Sequence, residues 1–320
     1  MTSAIGFNAL ALEIFYYQAK YNPVYSKFLQ LIDVRPESIL DIAQIPYLPV
    51  EFFKNHVVSS INPDEQTVVF KSSSTTGEGI STHYVSDIEL YHTSFTRCFN
   101  YQFGSIEDYT FRFLLPSYLE RSDSSLVYMA EELLKISGKG GFYLNDLKKL
   151  SMDLAYDIKL GRKVILLGVS FALLDFAENY PMDLSKVIIM ETGGMKGRRR
   201  EITRREFHQF LIQKFNTTHI ASEYGMTELL SQAYSIKDGI FNCPPWMKIT
   251  IGQTTDPFGI EKKGKTGRIK IIDLANIDSC CFLATSDLGR VYKDGTFEVL
   301  GRLDNSDVRG CNLLTPDPSP

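Results

Sequence analysis

Apolar residues recur along the first 245 residues in two alternating patterns, one typical of helices and the other of buried strands. A spacing of three and four residues predicts helices over 8–32 (divided at Pro23), 86–103, 124–137, 147–160, 171–179 and 203–214. Short β-branched or continuous apolar runs predict strands over 67–71, 109–115, 163–167, 186–190 and 218–220. Because strands and helices alternate, the pattern predicts an α/β fold with a mostly parallel sheet covered by helices.

From about residue 246 the pattern changes to short β-like pieces separated by Gly, Asp and Pro. Four antiparallel strands are predicted, over 248–251, 267–272, 282–285 and 296–299. The closing residues TPDPSP have a composition typical of a flexible end. We therefore predict an α/β core with N-terminal helices over 1–245, a β-rich subdomain over 246–310 and a flexible tail over 311–320.

The composition narrows the functional classes. The 320 residues carry 34 Lys and Arg against 38 Asp and Glu, a net charge of −4, whereas a dedicated nucleic-acid binder needs a basic surplus. The sequence contains no run of 18 uncharged apolar residues, so no membrane span is expected. The 5 cysteines are odd in number and lack metal-binding spacing, which favours a reduced, cytoplasmic setting.

Three unusual loops follow predicted strands, which predicts that they share the edge where the strands end. The first loop, SSSTTGEG over 72–79, combines five consecutive hydroxyls with two glycines. Its side chains and backbone amides suit the oxygens of a polyphosphate, although an ordinary polar surface loop is an equal alternative for this loop alone. The second loop, ETGGMKG over 191–197, contains paired glycines that let a flat ring approach the backbone. A tight turn between a strand and a helix is the simpler alternative for this second loop.

The third loop, SEYGMTE over 222–228, places a hydroxyl beside a carboxylate. Thr227 and Glu228 suit a phosphate oxygen and Mg²⁺, and Tyr224 offers a ring for stacking. The alternative is that Thr227 and Glu228 merely open the next helix. Further along, Asp287 suits the two hydroxyls of a ribose and Arg302 a phosphate or ribose, although hairpin turns would explain both segments.

Taken in order, these motifs resemble those of the adenylate-forming superfamily of ligases. SSSTTGEG resembles its phosphate loop, EYGMTE its aromatic-Gly-x-Thr-Glu motif, SDLGR its ribose-binding motif, and GRLDNSDVRG its hinge motif. The resemblance covers roughly residues 67–312. Within the superfamily the chain most resembles the acyl-protein synthetase (LuxE-like) branch, on the segments ETGGMKGRRREITRREF and LLGVSFALLDFAE.

The resemblance implies ATP and Mg²⁺ as cofactors and a role for each motif residue. The residues that would hold the ATP phosphates are Ser73, Ser74, Thr75, Thr76 and Gly77. Gly193 and Gly194 would flank the adenine, Tyr224 would stack on it, and Glu223 and Gly225 would complete the nucleotide site. Thr227 would contact the α-phosphate, Glu228 would hold Mg²⁺, and Asp287 would bind the ribose with Arg302 nearby.

The sequence departs from the superfamily pattern at two places. The phosphate loop lacks the lysine that often follows it, and only ten residues follow Gly310, where longer members carry a lid domain with a catalytic lysine. The resemblance therefore predicts an absent lid, unless the chain is a shortened form of a longer protein. Either Lys196 or another internal cation then replaces the lid lysine, or adenylation is slow.

The same resemblance implies that the acyl group passes from an adenylate to a cysteine near the C-terminus and then to a partner acyl reductase. Cys311 has that location, and a thiolate attacks a mixed anhydride readily, although an incidental cysteine is an alternative. Cys98, Cys280 and Cys281 are predicted to be core residues, and Cys243 is undecided. His83 follows the first loop and is a candidate to reach the site, although an ordinary core or surface histidine is the favoured alternative.

The leading prediction is thus ATP-dependent activation of a carboxylic acid, expected to be a fatty acid, followed by transfer of its acyl group to Cys311. One alternative is a ligase that uses a free thiol such as coenzyme A. The other is a non-catalytic protein that binds a nucleotide or an acyl group on a degenerate scaffold.

Overall fold

Two sheets organise the chain, one mostly parallel and one mostly antiparallel. The computed structural model describes residues 4–72, 79–116, 123–193, 202–253, 256 and 259–303. Its helices are α1 (Ala4–Tyr21), α2 (Pro23–Leu31), α3 (Phe52–Asn55), α4 (Ile88–Phe103), α5 (Ser125–Ser137), α6 (Leu147–Lys159), α7 (Ser170–Asn179) and α8 (Arg204–Phe215). In this described part of the chain, every helix is too short or too polar to cross a membrane.

The parallel sheet contains six strands in the order β5-β4-β6-β7-β8-β9. Their bounds are β4 (Tyr109–Leu114), β5 (Gly140–Phe142), β6 (Lys163–Val169), β7 (Val187–Thr192), β8 (Ala221–Tyr224) and β9 (Ala233–Ser235). Only β9 runs antiparallel to its neighbour β8. Because the central strands are apolar on both sides, helices α4 to α8 can pack on the sheet, and together they form the first hydrophobic core.

The antiparallel sheet runs in the order β10-β14-β13-β12-β11, and β1 pairs with β13 in parallel. Its strands are β1 (Leu48–Pro49), β10 (Ile240–Phe241), β11 (Met247–Gly252), β12 (Thr266–Asp273), β13 (Phe282–Val291) and β14 (Phe297–Arg302). The register of β13 and β14 pairs Asp287 with Arg302. A separate antiparallel hairpin, β2 (Val68–Lys71) and β3 (Thr82–Val85), flanks residues 72–81.

The N-terminal helices contribute to the core of the antiparallel sheet. Phe15 of α1 and Tyr25 of α2 are fully buried, and both rings contact Phe282 of β13. Buried polar contacts reinforce this packing, since the Gln18 amide donates to the backbone oxygens of Asn276 and Ile277. The predicted domain boundary at residue 245 stays a prediction. Buried residues between Phe7 and Val58 share one hydrophobic core with the C-terminal sheet.

Most predicted elements are confirmed to within a few residues, but three placements are wrong. The strand predicted over 218–220 is instead β8, so Ser222, Glu223 and Tyr224 belong to a strand and not to a loop. Likewise β13 continues to Val291 and carries Asp287 within it, because β12 and β14 pair along both of its edges. Finally, the first loop does not follow a strand of the parallel sheet, since β2 pairs with β3.

Candidate functional site

The motif turn, residues 225–231, leaves the C-terminal end of β8 and leads to β9. It is irregular, so the alternative that Thr227 and Glu228 open a helix is wrong. Glu228 is buried, with 5% of its surface exposed. Burial raises the pKa of Glu228, although a hydrogen bond from Ser81 and the positive charge of Arg302 act in the opposite direction. The structure therefore holds an acidic side chain in an enclosed position, close to the charged pair described next.

A second part of the site joins β8 to the antiparallel sheet. The Tyr224 hydroxyl donates to Asp287 Oδ2 over 2.8 Å, and Arg302 Nε lies 3.3 Å from Asp287 Oδ1. The Tyr224 ring is edge-on to Phe297, with centroids 5.6 Å apart. Both oxygens of Asp287 are thus engaged, and the Arg302 side chain, although paired with Asp287, is 73% exposed.

Three side chains hold the backbone of the motif turn. His83 Nδ1 lies 2.8 Å from the carbonyl oxygen of Thr227, and Asn276 Nδ2 donates to that of Glu228 over 2.8 Å. Asp273, which is fully buried, accepts the backbone amides of Leu230 and Ser231 at 3.0 Å and the Ser231 hydroxyl at 2.6 Å. The position of Glu228 is therefore set by residues from two other segments, the β2–β3 hairpin and the turn at 273–276.

The second loop begins beside a buried charge cluster at the ends of β7 and β8. Arg204 Nε lies 3.2 Å and His208 Nε2 3.6 Å from Glu191 Oε1, both from α8. Burial would raise the pKa of Glu191, but the contacts with His208 and Arg204 outweigh it and leave that pKa below its usual range. Because Glu191 begins the loop and both partners follow it, this cluster connects the first residue of the loop to helix α8.

Gly193 and Gly225 occupy positions that exclude most side chains. Gly193 has φ +68°, a left-handed conformation that favours glycine, and its carbonyl accepts the Ser170 hydroxyl at 2.8 Å. At Gly225, a Cβ would overlap the Glu223 carboxylate. Glu223 in turn accepts a hydrogen bond from Thr192 of β7, so Gly225 leaves room for a carboxyl group that bridges two strands.

Glu223 makes the stability of the protein depend on pH. Burial, together with the nearby charge of Glu191, raises the pKa of Glu223 to about 7, against a hydrogen bond from Thr192 that lowers it. The folded chain therefore keeps a proton that the unfolded chain releases near pH 4.5. We expect the contribution of Glu223 to the free energy of unfolding to fall by about 3 kcal/mol as the pH rises from 4.5 to 7, while buried His83, whose pKa is lowered to about 4, acts in the opposite direction over this range. In urea unfolding, the stability of Glu223→Gln relative to the wild type should therefore rise by about 3 kcal/mol between pH 4.5 and pH 7, whereas the stability of Glu65→Gln, at an exposed site, relative to the wild type should stay constant.

Several predicted site residues lie outside the described residues. They are Ser73, Ser74, Thr75, Thr76, Gly77, Gly194, Lys196 and Cys311. The described neighbours of the first loop pair with each other, since Ser72 N donates to the Ser81 carbonyl over 3.0 Å and Ser81 N to Ser72 Oγ over 2.9 Å. This pairing closes the base of the loop.

The four described cysteines are poor nucleophiles. Cys98, Cys280 and Cys281 are buried, as predicted. Burial raises the pKa of Cys98 and of Cys280 to about 12, and that of Cys243 also lies well above its usual range because of burial. At neutral pH these thiols stay protonated.

Asp273 and Asn276 were missed from the sequence. In the segment IIDLAN an aspartate after an apolar strand indicates only a local cap, and Asp273 does cap the short turn at 274–276. Its contacts with Ser231 span 42 residues, and no sequence signal marks them.

Comparison with known proteins finds one curated relative and many solved structures of similar fold. No family model matches the chain. The chain is 22% identical, over 324 residues, to the long-chain-fatty-acid–luciferin-component ligase of Vibrio harveyi, a match that covers 93% of this chain and 84% of that protein. The resemblance inferred from the motifs is confirmed by this match.

Solved structures confirm the fold class. A 2-hydroxyisobutyryl-CoA ligase in the postadenylation state has a TM-score of 0.70 at 9% identity and covers 94% of this chain and 68% of its own. ATP-bound MatB from Rhodopseudomonas palustris has a TM-score of 0.57 at 15% identity, over 76% of this chain. The chain spans about half of that MatB structure, 49% of its length. The fold is that of the adenylate-forming ligases.

Proposed function

We propose that this chain is an ATP-dependent, AMP-forming ligase that activates a carboxylic acid as its acyl-adenylate. The observation that carries the proposal is the contact between Tyr224 and Asp287, which are 63 residues apart and belong to different sheets. This contact brings the adenine and ribose candidates together, and Glu228 lies close enough for the charges of Arg302 and Asp287 to affect its pKa. These residues offer candidates for the adenine, ribose and metal contacts that an adenylating site needs.

In the proposed reaction, a carboxylate oxygen of the acid bonds to the α-phosphorus of ATP. The bond from that phosphorus to the oxygen bridging to the β-phosphorus breaks, and pyrophosphate leaves. The Thr227 hydroxyl would bind an α-phosphate oxygen, Asp287 the ribose hydroxyls, and Arg302 the developing negative charge. Lys196 is the proposed catalytic cation of this step.

The residues present fit Mg²⁺ bound jointly with ATP. No group of three or more His, Cys, Asp or Glu that could hold a metal unaided occurs in the described ranges. Glu228 nevertheless offers an enclosed carboxylate, and Mg²⁺ characteristically binds one or two carboxylates together with substrate phosphates. When bound, Mg²⁺ would neutralise charge on the phosphates, and Glu228 would fix its position.

We further propose that the acid is a fatty acid and that the acyl group moves to Cys311. The Cys311 thiol would lose its proton, its sulfur would bond to the acyl carbonyl carbon, and AMP would leave. The protonated state of the four described cysteines, three of which are buried, supports Cys311 as the nucleophile. The thioester would then pass to an acyl-accepting partner protein, and the likeness to the Vibrio harveyi ligase supports the fatty-acid class.

A second candidate keeps the adenylation but gives the acyl group to a free thiol such as coenzyme A. The fold shared with 2-hydroxyisobutyryl-CoA ligase favours it. The two candidates differ only in the role of Cys311.

Acid-dependent exchange of pyrophosphate into ATP, measured over fatty acids of increasing length, tests the shared step. We expect exchange in the wild type, in Cys311→Ser and in the control Cys243→Ser. Labelled acyl should appear on the wild type and on Cys243→Ser but fall at least about 100-fold on Cys311→Ser, since a hydroxyl is a far weaker nucleophile. Equal labelling of both variants would rule out Cys311. Coenzyme A turnover that is unchanged in Cys311→Ser would establish the second candidate, and no exchange with any acid would overturn the proposal.

A further inference from the structure

The β2–β3 hairpin holds the candidate phosphate loop, yet no other described strand pairs with it. Its two strands pair only with each other, from Val68 with Val85 to Lys71 with Thr82. A two-stranded hairpin has little independent stability, so its position depends on contacts with the rest of the protein. One is a backbone hydrogen bond, which the Lys71 amide donates to the Asp123 carbonyl over 2.7 Å, and the others come from side chains.

Alternate residues of this hairpin face the motif turn. Ser81 directly precedes β3 and His83 lies within it two residues further on, so the two side chains extend to the same side. Ser81 hydrogen-bonds to the Glu228 carboxyl group, and His83 Nδ1 lies 2.8 Å from the Thr227 carbonyl oxygen. The side chains of both residues thus connect the phosphate-loop hairpin to the two residues expected to hold the α-phosphate and the metal.

The environment of His83 fixes its protonation state. The side chain is fully buried, and the ring of Phe53 lies edge-on to it at 5.5 Å. Burial lowers the pKa of His83 to about 4, against the Thr227 hydrogen bond that raises it, so the ring is neutral at neutral pH. Because a carbonyl oxygen can only accept, the single proton must be on Nδ1. Nε2 then carries the lone pair, and it has no hydrogen-bond partner among the described residues.

We propose that His83 is a positioning residue for adenylation, which holds the peptide between Thr227 and Glu228 against the β2–β3 hairpin through its Nδ1–H. The inference rests on the proposed function. The carbonyl that His83 binds belongs to the peptide between Thr227 and Glu228, so its hydrogen bond sets the orientation of that peptide. Misplacement of a reacting group by about 1 Å is enough to slow a reaction about 100-fold.

The test compares variants that keep or lose the donor. Asparagine carries an N–H at the position of Nδ1, whereas leucine fills similar space without one. We expect His83→Leu to lower the maximal rate of pyrophosphate exchange about 30-fold and His83→Asn to restore it to within about fivefold of the wild type. Val85→Ala, a buried change in the same hairpin, should lower the melting temperature without lowering the exchange rate well below that temperature.

Two readouts separate positioning from a purely structural role. The nitrogen NMR shifts of labelled His83 should show a protonated Nδ1 and a bare Nε2. The affinity for Mg²⁺·ATP, measured by calorimetry, should fall in His83→Leu and in Glu228→Gln, and the double variant should lose less than the product of the two losses.

Four results would overturn the inference: equal impairment of the asparagine and leucine variants, an equal rate loss in Val85→Ala, a proton on Nε2, or losses of affinity that multiply fully. Failure of the proposed function would look different, because the wild type itself would then show no exchange with any acid. In that case the Mg²⁺·ATP affinities and the NMR shifts would still decide the role of His83.

Discussion

Replacing Glu228 with glutamine is expected to lower the rate of acid-dependent pyrophosphate exchange by about 1,000-fold without unfolding the protein. A metal that stabilises transition-state charge contributes several kcal/mol, and each 1.36 kcal/mol corresponds to a factor of ten in rate. The glutamine amide keeps the size of the side chain but removes the negative charge that would hold Mg²⁺ against the phosphates. The Glu228 backbone carbonyl stays bound to Asn276, so the turn itself is retained.

The stability of the Glu228→Gln variant separates a lost metal ligand from a damaged fold. Because burial raises the pKa of Glu228, the charged carboxylate costs free energy in the folded state, and a neutral side chain relieves that cost. The melting temperature without ligand should therefore stay the same or rise, whereas its increase on adding Mg²⁺·ATP should shrink.

A matched control is Glu298→Gln, at a carboxylate of β14 that pairs with Arg290 over 3.3 Å. This variant should exchange pyrophosphate at the wild-type rate. Exchange by Glu228→Gln within threefold of the wild type, at saturating Mg²⁺, would show that Glu228 does not hold the metal.

The helices and the central strands could be predicted because local patterns determine them. The runs at 163–167 and 186–190 are apolar throughout and form the buried strands β6 and β7. Strand β8 failed the same test because its residues SEY are polar, and their burial depends on pairing with β7 and β9. The hydrophobic pattern of a sequence does not predict a buried strand with polar side chains, because the hydrogen-bond partners of those side chains lie on other strands.

The candidate site shows the same limit. Motif resemblance grouped Tyr224, Asp287 and Arg302, and the structure brings them into contact. It did not reveal Asn276 or Asp273, since residues that bind backbone atoms far along the chain carry no motif of their own. For this reason the residues that would touch ATP were easier to predict than the residues that hold them in place.

Replacing Asp273 with alanine is expected to damage both stability and activity. Its carboxylate accepts hydrogen bonds from the amides of Leu230, Ser231 and Ala275 and from the Ser231 hydroxyl. Alanine would leave these buried donors unpaired, and each unpaired donor costs about 1–3 kcal/mol, so we expect a total loss of about 4 kcal/mol after partial relaxation. Urea unfolding measures this loss.

The activity of the Asp273→Ala variant shows whether the motif turn must be held to work. Well below its melting temperature, we expect exchange to fall about 50-fold, because the released turn no longer fixes Thr227 and Glu228. Asp273→Asn keeps one acceptor oxygen and should lie between the alanine variant and the wild type. The control is Asp294→Ala, which removes a similar aspartate cap at an exposed turn, where Asp294 accepts from Thr296 over 3.0 Å and 2.7 Å. Wild-type exchange by a folded Asp273→Ala variant would mean that the turn keeps its position without this carboxylate, and the site would then owe its geometry to His83 and Asn276.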